Sequence, residues 1–336
     1  MAMNPTTKDA LVMLRSPSPD FFGHLRAALT RVGLAGEERF GVGAFFALMS
    51  RFRPYPLRLA IHETTEGGAK YLLRSVSKLF EPGTVRDILS EGGWSRFAAD
   101  PAHAVAFVPQ WCDCSREGTR VEIEGNQVHH IYLRERDGRI VETPHTVEAP
   151  FVCVSSQYPN RIFGEPGGLQ RWVTIKLPAA VSSVPTAVMP LDDEEISVWV
   201  EVQRMVQERT MLPILLPDWG ELVIEMACQD ERSARHLPAF LVGWKTMTLL
   251  RSFGGDDDHH RETLQADFES LAATSLLLRG VFREGHWFPS PTKVFVQVFA
   301  IGEERAVINP LTGKGVRYTR RDAQTVQWSS VLSGAE

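Results

Sequence analysis

The segment Glu63-Thr64-Thr65-Glu66-Gly67-Gly68-Ala69-Lys70 lies between an apolar run, Leu57 to His62, and a helical pattern with Leu72, Leu73, Val76, Leu79 and Phe80 on one face. A glycine-containing turn in that position can aim backbone N–H groups and a lysine at phosphate oxygens. The working motif reads G-x-x-x-x-G-K-[ST], its lysine neutralising phosphate charge and its hydroxyl holding Mg²⁺. With Gly68 as the last motif glycine, Glu63 replaces the first, Ala69 stands where lysine is needed, and Lys70 where the hydroxyl is needed. A slip of one residue brings Lys70 toward the ligand but leaves Tyr71 at the magnesium position. Glu66 adds a negative charge that would repel a triphosphate. Two readings stand: a phosphate loop that has lost its chemistry, or a Gly-rich turn between strand and helix.

A phosphate site of this kind also needs acidic residues at the end of a neighbouring strand. The candidate strand, Ala104 to Val108, runs into Pro109 and Gln110, with no acid until Asp113. Both charged sets are therefore missing together. Other reactive groups are sparse. Cys112 and Cys114 lack the spacing and second pair of a zinc site, and His129 and His130, adjacent on a strand pattern, point to opposite faces. Asp256-Asp257-Asp258-His259-His260 offers metal ligands inside a Gly-flanked linker, with nothing to fix their geometry. No metal site is expected. Near the end, Lys314, Arg317, Arg320 and Arg321 surround Gly313, Gly315 and Tyr318; on a hairpin these cations either contact phosphates or simply face solvent.

The elements that must position these residues alternate between helix and strand. The first 20 residues are polar, carry Pro and Ser, and are expected to fray. Helical periodicity covers Phe21 to Phe52, broken at Gly33, and its second apolar stretch, Phe40 to Met49, suits a buried helix despite Gly41 and Gly43. Pro54 and Pro56 end it and launch the first strand. Val121 to Arg139 reads as a hairpin insertion closed near Asp137-Gly138. Phe151 to Val154 and Trp172 to Leu177 are short buried strands. Asp192 with Glu195 three positions on gives a capping-box start to a helix with Ile196, Trp199, Val202 and Val206 on its inner face. Helices follow over Trp219 to Cys228, Pro238 to Phe253 and Thr263 to Val281. Lys293 to Ile301, Arg305 to Asn309 and Val316 to Arg320 form a β-meander.

The order of these elements resembles the helicase-like P-loop (AAA+-related) proteins encoded with primases and replication genes on bacterial mobile elements and phages. The resemblance runs from about Val32 to Phe253 and rests on Gly33 to Glu38 before an apolar helix, Ser50-Arg51 and a Pro-flanked strand. It continues through the Thr-Thr-Glu-Gly-Gly turn, the helix ending Leu79-Phe80-Glu81-Pro82, and Pro150 to Ser156. It implies a sensor-like role for Ser155 or Ser156, and nucleotide-facing or structural roles for Arg171, Arg232 and Arg235. The family's lysine, hydroxyl and acidic pair are absent here, so its Walker A and B motifs are degenerate.

The expected fold is α/β, a P-loop-NTPase-like parallel sheet core with flanking helical regions and a small C-terminal α+β domain. Its divisions fall at 1–53 (helical), 54–185 (core), 186–260 (lid-like helices) and 261–336 (helix plus β-meander). With 336 residues, 43% of them apolar and 23% charged, the chain has ordinary globular composition for two or three domains. The longest apolar run, Leu237 to Leu250, contains Lys245 and is shorter than the roughly 20 residues of a bilayer span. Four scattered cysteines and no secretory pattern point to the cytoplasm, and a net charge of −5 argues against a broad nucleic-acid-binding surface. The function expected is a catalytically silent accessory or scaffold in mobile-element or phage DNA replication. Its expected partner is a helicase, a primase, a homologous ATPase or a second copy. No cofactor is expected, ATP binding without turnover being disfavoured. The alternatives are a DNA-binding module using the C-terminal basic hairpin, and an enzyme whose site a single sequence does not display.

Overall fold

The computed structural model describes residues 4–15, 20–64, 67–89, 93–109, 119–124, 127–148, 151–156, 172–178, 189–229, 231–253, 262–281, 304–312 and 315–319. At its centre is a five-stranded sheet made from β1 (Arg58–His62), β2 (Val85–Asp87), β3 (Val105–Val108), β7 (Phe151–Ser156) and β8 (Trp172–Lys176). Their order is β2-β3-β7-β1-β8, and every neighbouring pair is parallel. A parallel sheet needs cover on both faces, which explains strands that read as unbroken apolar runs.

The period-two alternation of side chains sorts those runs into two cores. Leu59, Ile61, Val105, Phe107, Phe151, Cys153, Val173 and Ile175 join the larger core. There they meet the helices α3 (Glu38–Met49), α4 (Gly68–Ser77), α6 (Asp193–Arg209), α8 (Glu231–Arg251) and α9 (Phe268–Val281). Ala60, Ala106, Val108, Val152 and Val154 face the other way. They pack with Trp94 and Phe97 of α5 (Gly93–Ala99) and with Val121, Ile123 and Val128 of an antiparallel meander. The meander comprises β4 (Thr119–Glu124), β5 (Gln127–Arg136) and β6 (Arg139–Glu148). The expected hairpin is thus three strands, and it supplies the second layer of the sheet. Its tight turn falls at Asp137-Gly138, with φ of 53° and 73°, the two positive values a two-residue hairpin turn requires.

Several sequence expectations are corrected. The N-terminal segment contains a helix, α1 (Pro5–Arg15), because Ala10, Leu11 and Leu14 recur at helical spacing and are buried. Its Thr7 hydroxyl donates to Glu201 of α6 at 2.7 Å. Strand β2 and helix α5 interrupt what read as a plain connection; β2 is a three-residue edge strand, too short to show a period. The helix expected from Thr263 begins at Phe268. Leu264–Gln265 (β10) instead pairs in parallel with Ile214–Leu215 (β9). The Asp267 carboxylate then accepts the Ser270 N–H at 2.7 Å and starts the helix there. Helix α7 spans Gly220–Cys228, and α2 spans Asp20–Leu29 before a break at Gly33, φ 113°. β11 (Glu304–Ile308) and β12 (Gly315–Thr319) form an antiparallel hairpin, whereas the expected strand over Lys293 to Ile301 lies outside the described residues.

Gly41 and Gly43 inside α3 have a packing reason. A Cβ at Gly43 would lie 2.4 Å from a methyl of Val281 in α9, and one at Gly41 would meet Leu34 and Leu29 under 3 Å. The capping box at Asp192 is formed as its spacing predicts: Glu195 N–H donates to the Asp192 carboxylate at 2.8 Å, and Asp192 N–H to Glu195 at 3.1 Å. Glu195 also holds Arg31, which donates on to the carbonyl of Pro190 at 2.9 Å. Among the described residues no helix is long and apolar enough to cross a membrane.

Candidate functional site

β1 and β7 are neighbours, yet the chain leaves them in opposite directions across the sheet. From β1 it runs through α4 to the edge strand β2; from β7 it goes to β8, beyond β1. In open α/β sheets the carboxyl ends of the strands at such a switch are the usual ligand position. Glu63, Ser155 and Ser156 occupy that end. The Glu63 N–H donates to the Ser156 carbonyl at 3.1 Å and continues the ladder one residue past β1. Leu177 N–H donates to the His62 carbonyl at 2.9 Å on the other side.

The Glu63 side chain decides what this end of the sheet can do. It is 2% exposed, and its carboxylate accepts the Ala69 N–H at 2.9 Å. Ala69 is the second residue of α4, so an N–H of the first turn, the group that a phosphate loop presents to its ligand, is bonded to an acid of the chain itself. Gly67 stands at the helix entry in the left-handed region, φ 96°, and its carbonyl accepts the Tyr71 N–H at 2.9 Å. Ser155 and Ser156 are 1% and 2% exposed.

Lys70 is directed elsewhere. Its half-exposed ammonium lies 3.6 Å from Asp87 at the end of β2. Both line a cleft of about 200 Å³ that runs along α4 past Arg74 and Ser77. Tyr71, at the position a one-residue slip would give to magnesium, donates its hydroxyl to the Gly33 carbonyl at 2.6 Å. Lys78 donates to the Val32 carbonyl at 3.2 Å, so α4 is tied to the segment ahead of α3.

Of the other predicted residues, Arg232 and Arg235 fall at the start of α8, and Arg317 sits in β12 opposite Ala306. Gln110, Cys112, Cys114, Arg171, 256–260, Lys314, Arg320 and Arg321 lie outside the described residues. Glu63, Gly67, Gly68 and Ala69 are thus brought together with Ser155 and Ser156, while Lys70 joins the β2 edge. His129 Nδ1 lies 2.7 Å from the Thr146 hydroxyl, and His130 is buried against Trp94 and Tyr132. Among the described residues no group of three or more His, Cys, Asp or Glu is placed to hold a metal ion.

Comparison with protein-family models and with curated proteins gives no match. Among solved structures, the chain is similar to a full-length MCM homolog from Methanopyrus kandleri, at 11% identity and a TM-score of 0.48. The similarity covers 84% of this chain and 62% of that one, so the chain spans about three fifths of that protein's length.

Sequence reasoning treated Glu63 only as a missing glycine. The structure gives it a role of its own, as the side-chain cap of α4. A second residue, Arg51, enters the sequence reading only as part of the resemblance and with no role of its own, and it is buried. Its guanidinium donates to the His103 carbonyl at 3.0 Å, the Leu48 carbonyl at 3.1 Å and Gln203 Oε1 at 2.9 Å. Burial pushes its pKa down to about 9, which still leaves it protonated at neutral pH.

Proposed function

We propose that this protein is a non-hydrolysing accessory or scaffold built on a phosphate-loop frame. The observation that carries the reading is the buried Glu63 carboxylate bonded to the Ala69 N–H. A triphosphate entering the first turn of α4 would have to displace that carboxylate or meet its charge at close range, in a site largely closed to solvent. The ion pair of Lys70 with Asp87 supports the same reading, because it spends the loop's lysine at the sheet edge.

The setting we infer, DNA replication or related DNA transactions of a mobile element or phage, is supported by the resemblance in element order. The partner would be a helicase, a primase, a related ATPase or a second copy of the chain, with Arg171, Arg232 or Arg235 as structural or trans-acting arginines. Binding and turnover of radiolabelled ATP by the purified chain test the proposal. No turnover is the expected outcome; turnover that Lys70→Ala abolishes would overturn it.

A second reading, DNA contact through the C-terminal hairpin, is favoured by the antiparallel pairing of β11 with β12, which carries Arg317. It predicts DNA binding that falls steeply with salt and is weakened by neutralising Arg317, Arg320 and Arg321. DNA binding that responds to neither change removes it.

A further inference from the structure

We propose that the cleft between α5 and the β5–β6 ribbon of the meander binds a flat, uncharged heteroaromatic ring of the purine class, as the free base or nucleoside. The cleft has a volume of about 520 Å³, within the range of small-molecule sites. Trp94, Ser95 and Ala98 of α5 line one side, and Tyr132, Thr143 and His145 of the ribbon line the other.

The strand register builds the ribbon's side. Tyr132 lies opposite Thr143 and His130 opposite His145, so all four side chains leave one face of the ribbon. The rings form a continuous series. Centroids of Trp94 and His130 are 5.0 Å apart, those of His130 and Tyr132 4.5 Å, and those of Tyr132 and His145 5.4 Å. Its inner end is fixed, because Trp94 packs on Phe97 at 6.1 Å and both belong to the smaller core. Its outer end is open: Tyr132 is half-buried, and Thr143 and His145 are exposed. A bound ring can therefore extend the series by one, on π-faces that stack with any aromatic base.

Charge and hydrogen bonding select the kind of ring. The described lining includes no Lys, Arg, Asp or Glu, so nothing there compensates a charged group. His130 is neutral at neutral pH, since burial, and after it His145, lowers its pKa. It is 5% exposed, and neither of its ring nitrogens has a hydrogen-bond partner, which leaves one donor and one acceptor unmet beside the cleft. The lining adds the hydroxyls of Ser95, Tyr132 and Thr143 and the imidazole of His145. Mixed donors and acceptors suit the edge of a nitrogen heterocycle, adenine presenting N7 as acceptor and its N6 amine as donor. A hydrocarbon ring would leave them unmet. Sites for single strands add a cationic groove to their stacking rings, and this lining has none, so a free base or nucleoside fits better than a strand.

The cleft lies across the sheet from α4, so its test is separate from that of the loop at Glu63. Isothermal titration of the full chain with adenine, adenosine, glucose and a single-stranded oligodeoxyadenylate is compared across wild type, Tyr132→Ala, His145→Ala and Lys70→Ala. Neither Tyr132 nor His145 belongs to a core, so both alanine variants keep the fold. Adenine and adenosine should bind saturably, and glucose should not bind. Tyr132→Ala and His145→Ala should each weaken adenosine about fivefold or more, the loss of one stacking contact, and Lys70→Ala should leave it unchanged. Any of five results would overturn the proposal: no saturable binding of base or nucleoside, affinity indifferent to both alanine substitutions, affinity lost in Lys70→Ala, equal binding of glucose, or binding of the oligonucleotide alone.

Discussion

Replacing Arg51 by methionine should cost the fold far more than a surface arginine would. The side chain is 5% exposed and ties together the end of α3, the carbonyl of His103 ahead of β3, and Gln203 of α6. Gln203 in turn donates to the Leu79 carbonyl at 2.6 Å, so one polar chain links α3, the turn after α4 and α6 through the larger core. Methionine keeps most of the volume against Phe52 and Phe80 but supplies no donors. The buried Gln203 oxygen is then left unpaired, at about 1–3 kcal/mol. Loss of the guanidinium over Phe52, at 3.9 Å, and Phe80, at 4.9 Å, adds about 0.5–2 kcal/mol. Relief of burying a charge returns part of this, for a net loss of about 1–4 kcal/mol. Urea unfolding followed by tryptophan fluorescence measures it. The double variant Arg51→Met with Gln203→Leu should be about 1–2 kcal/mol more stable than the sum of the single losses implies, because the two residues share one network. A single-variant loss under about 0.5 kcal/mol, or additivity of the pair, would refute the argument.

Gly43→Ala should destabilise by about 1–3 kcal/mol, since its Cβ would overlap Val281; Val281→Ala in the same chain should restore part of the loss in the same urea assay. His130 has its pKa lowered, first by burial and then by His145. The unfolded chain therefore binds its proton more readily. Stability from this residue is present above the unfolded pKa of about 6.5 and is lost as pH falls through the lowered folded value. His130→Phe, packed against Trp94 and Tyr132, should flatten stability against pH on the acid side; an unchanged slope would count against the assignment.

Strand β1, its turn and α4 were legible because the apolar period changes from strand to helix across Gly67 and Gly68. The Asp192–Glu195 cap was legible because both partners lie within one turn. Strand β2 was not, being three residues at an edge, and neither was α1, whose three buried residues are diluted by polar neighbours. Glu63 was visible only as a departure from a motif. Its bond to Ala69 depends on how a side chain folds back under the helix, and residue spacing does not encode that.

The closed state of the first turn of α4 depends on the Ala69 N–H being held by Glu63. Native-state hydrogen exchange at that amide, in wild type and Glu63→Ala, tests it most directly. The prediction is a protected amide in wild type and exchange about two- to thirtyfold faster in Glu63→Ala, the loss of a side-chain helix cap. An Ala69 amide that exchanges freely in wild type, or equally in both proteins, would contradict the account.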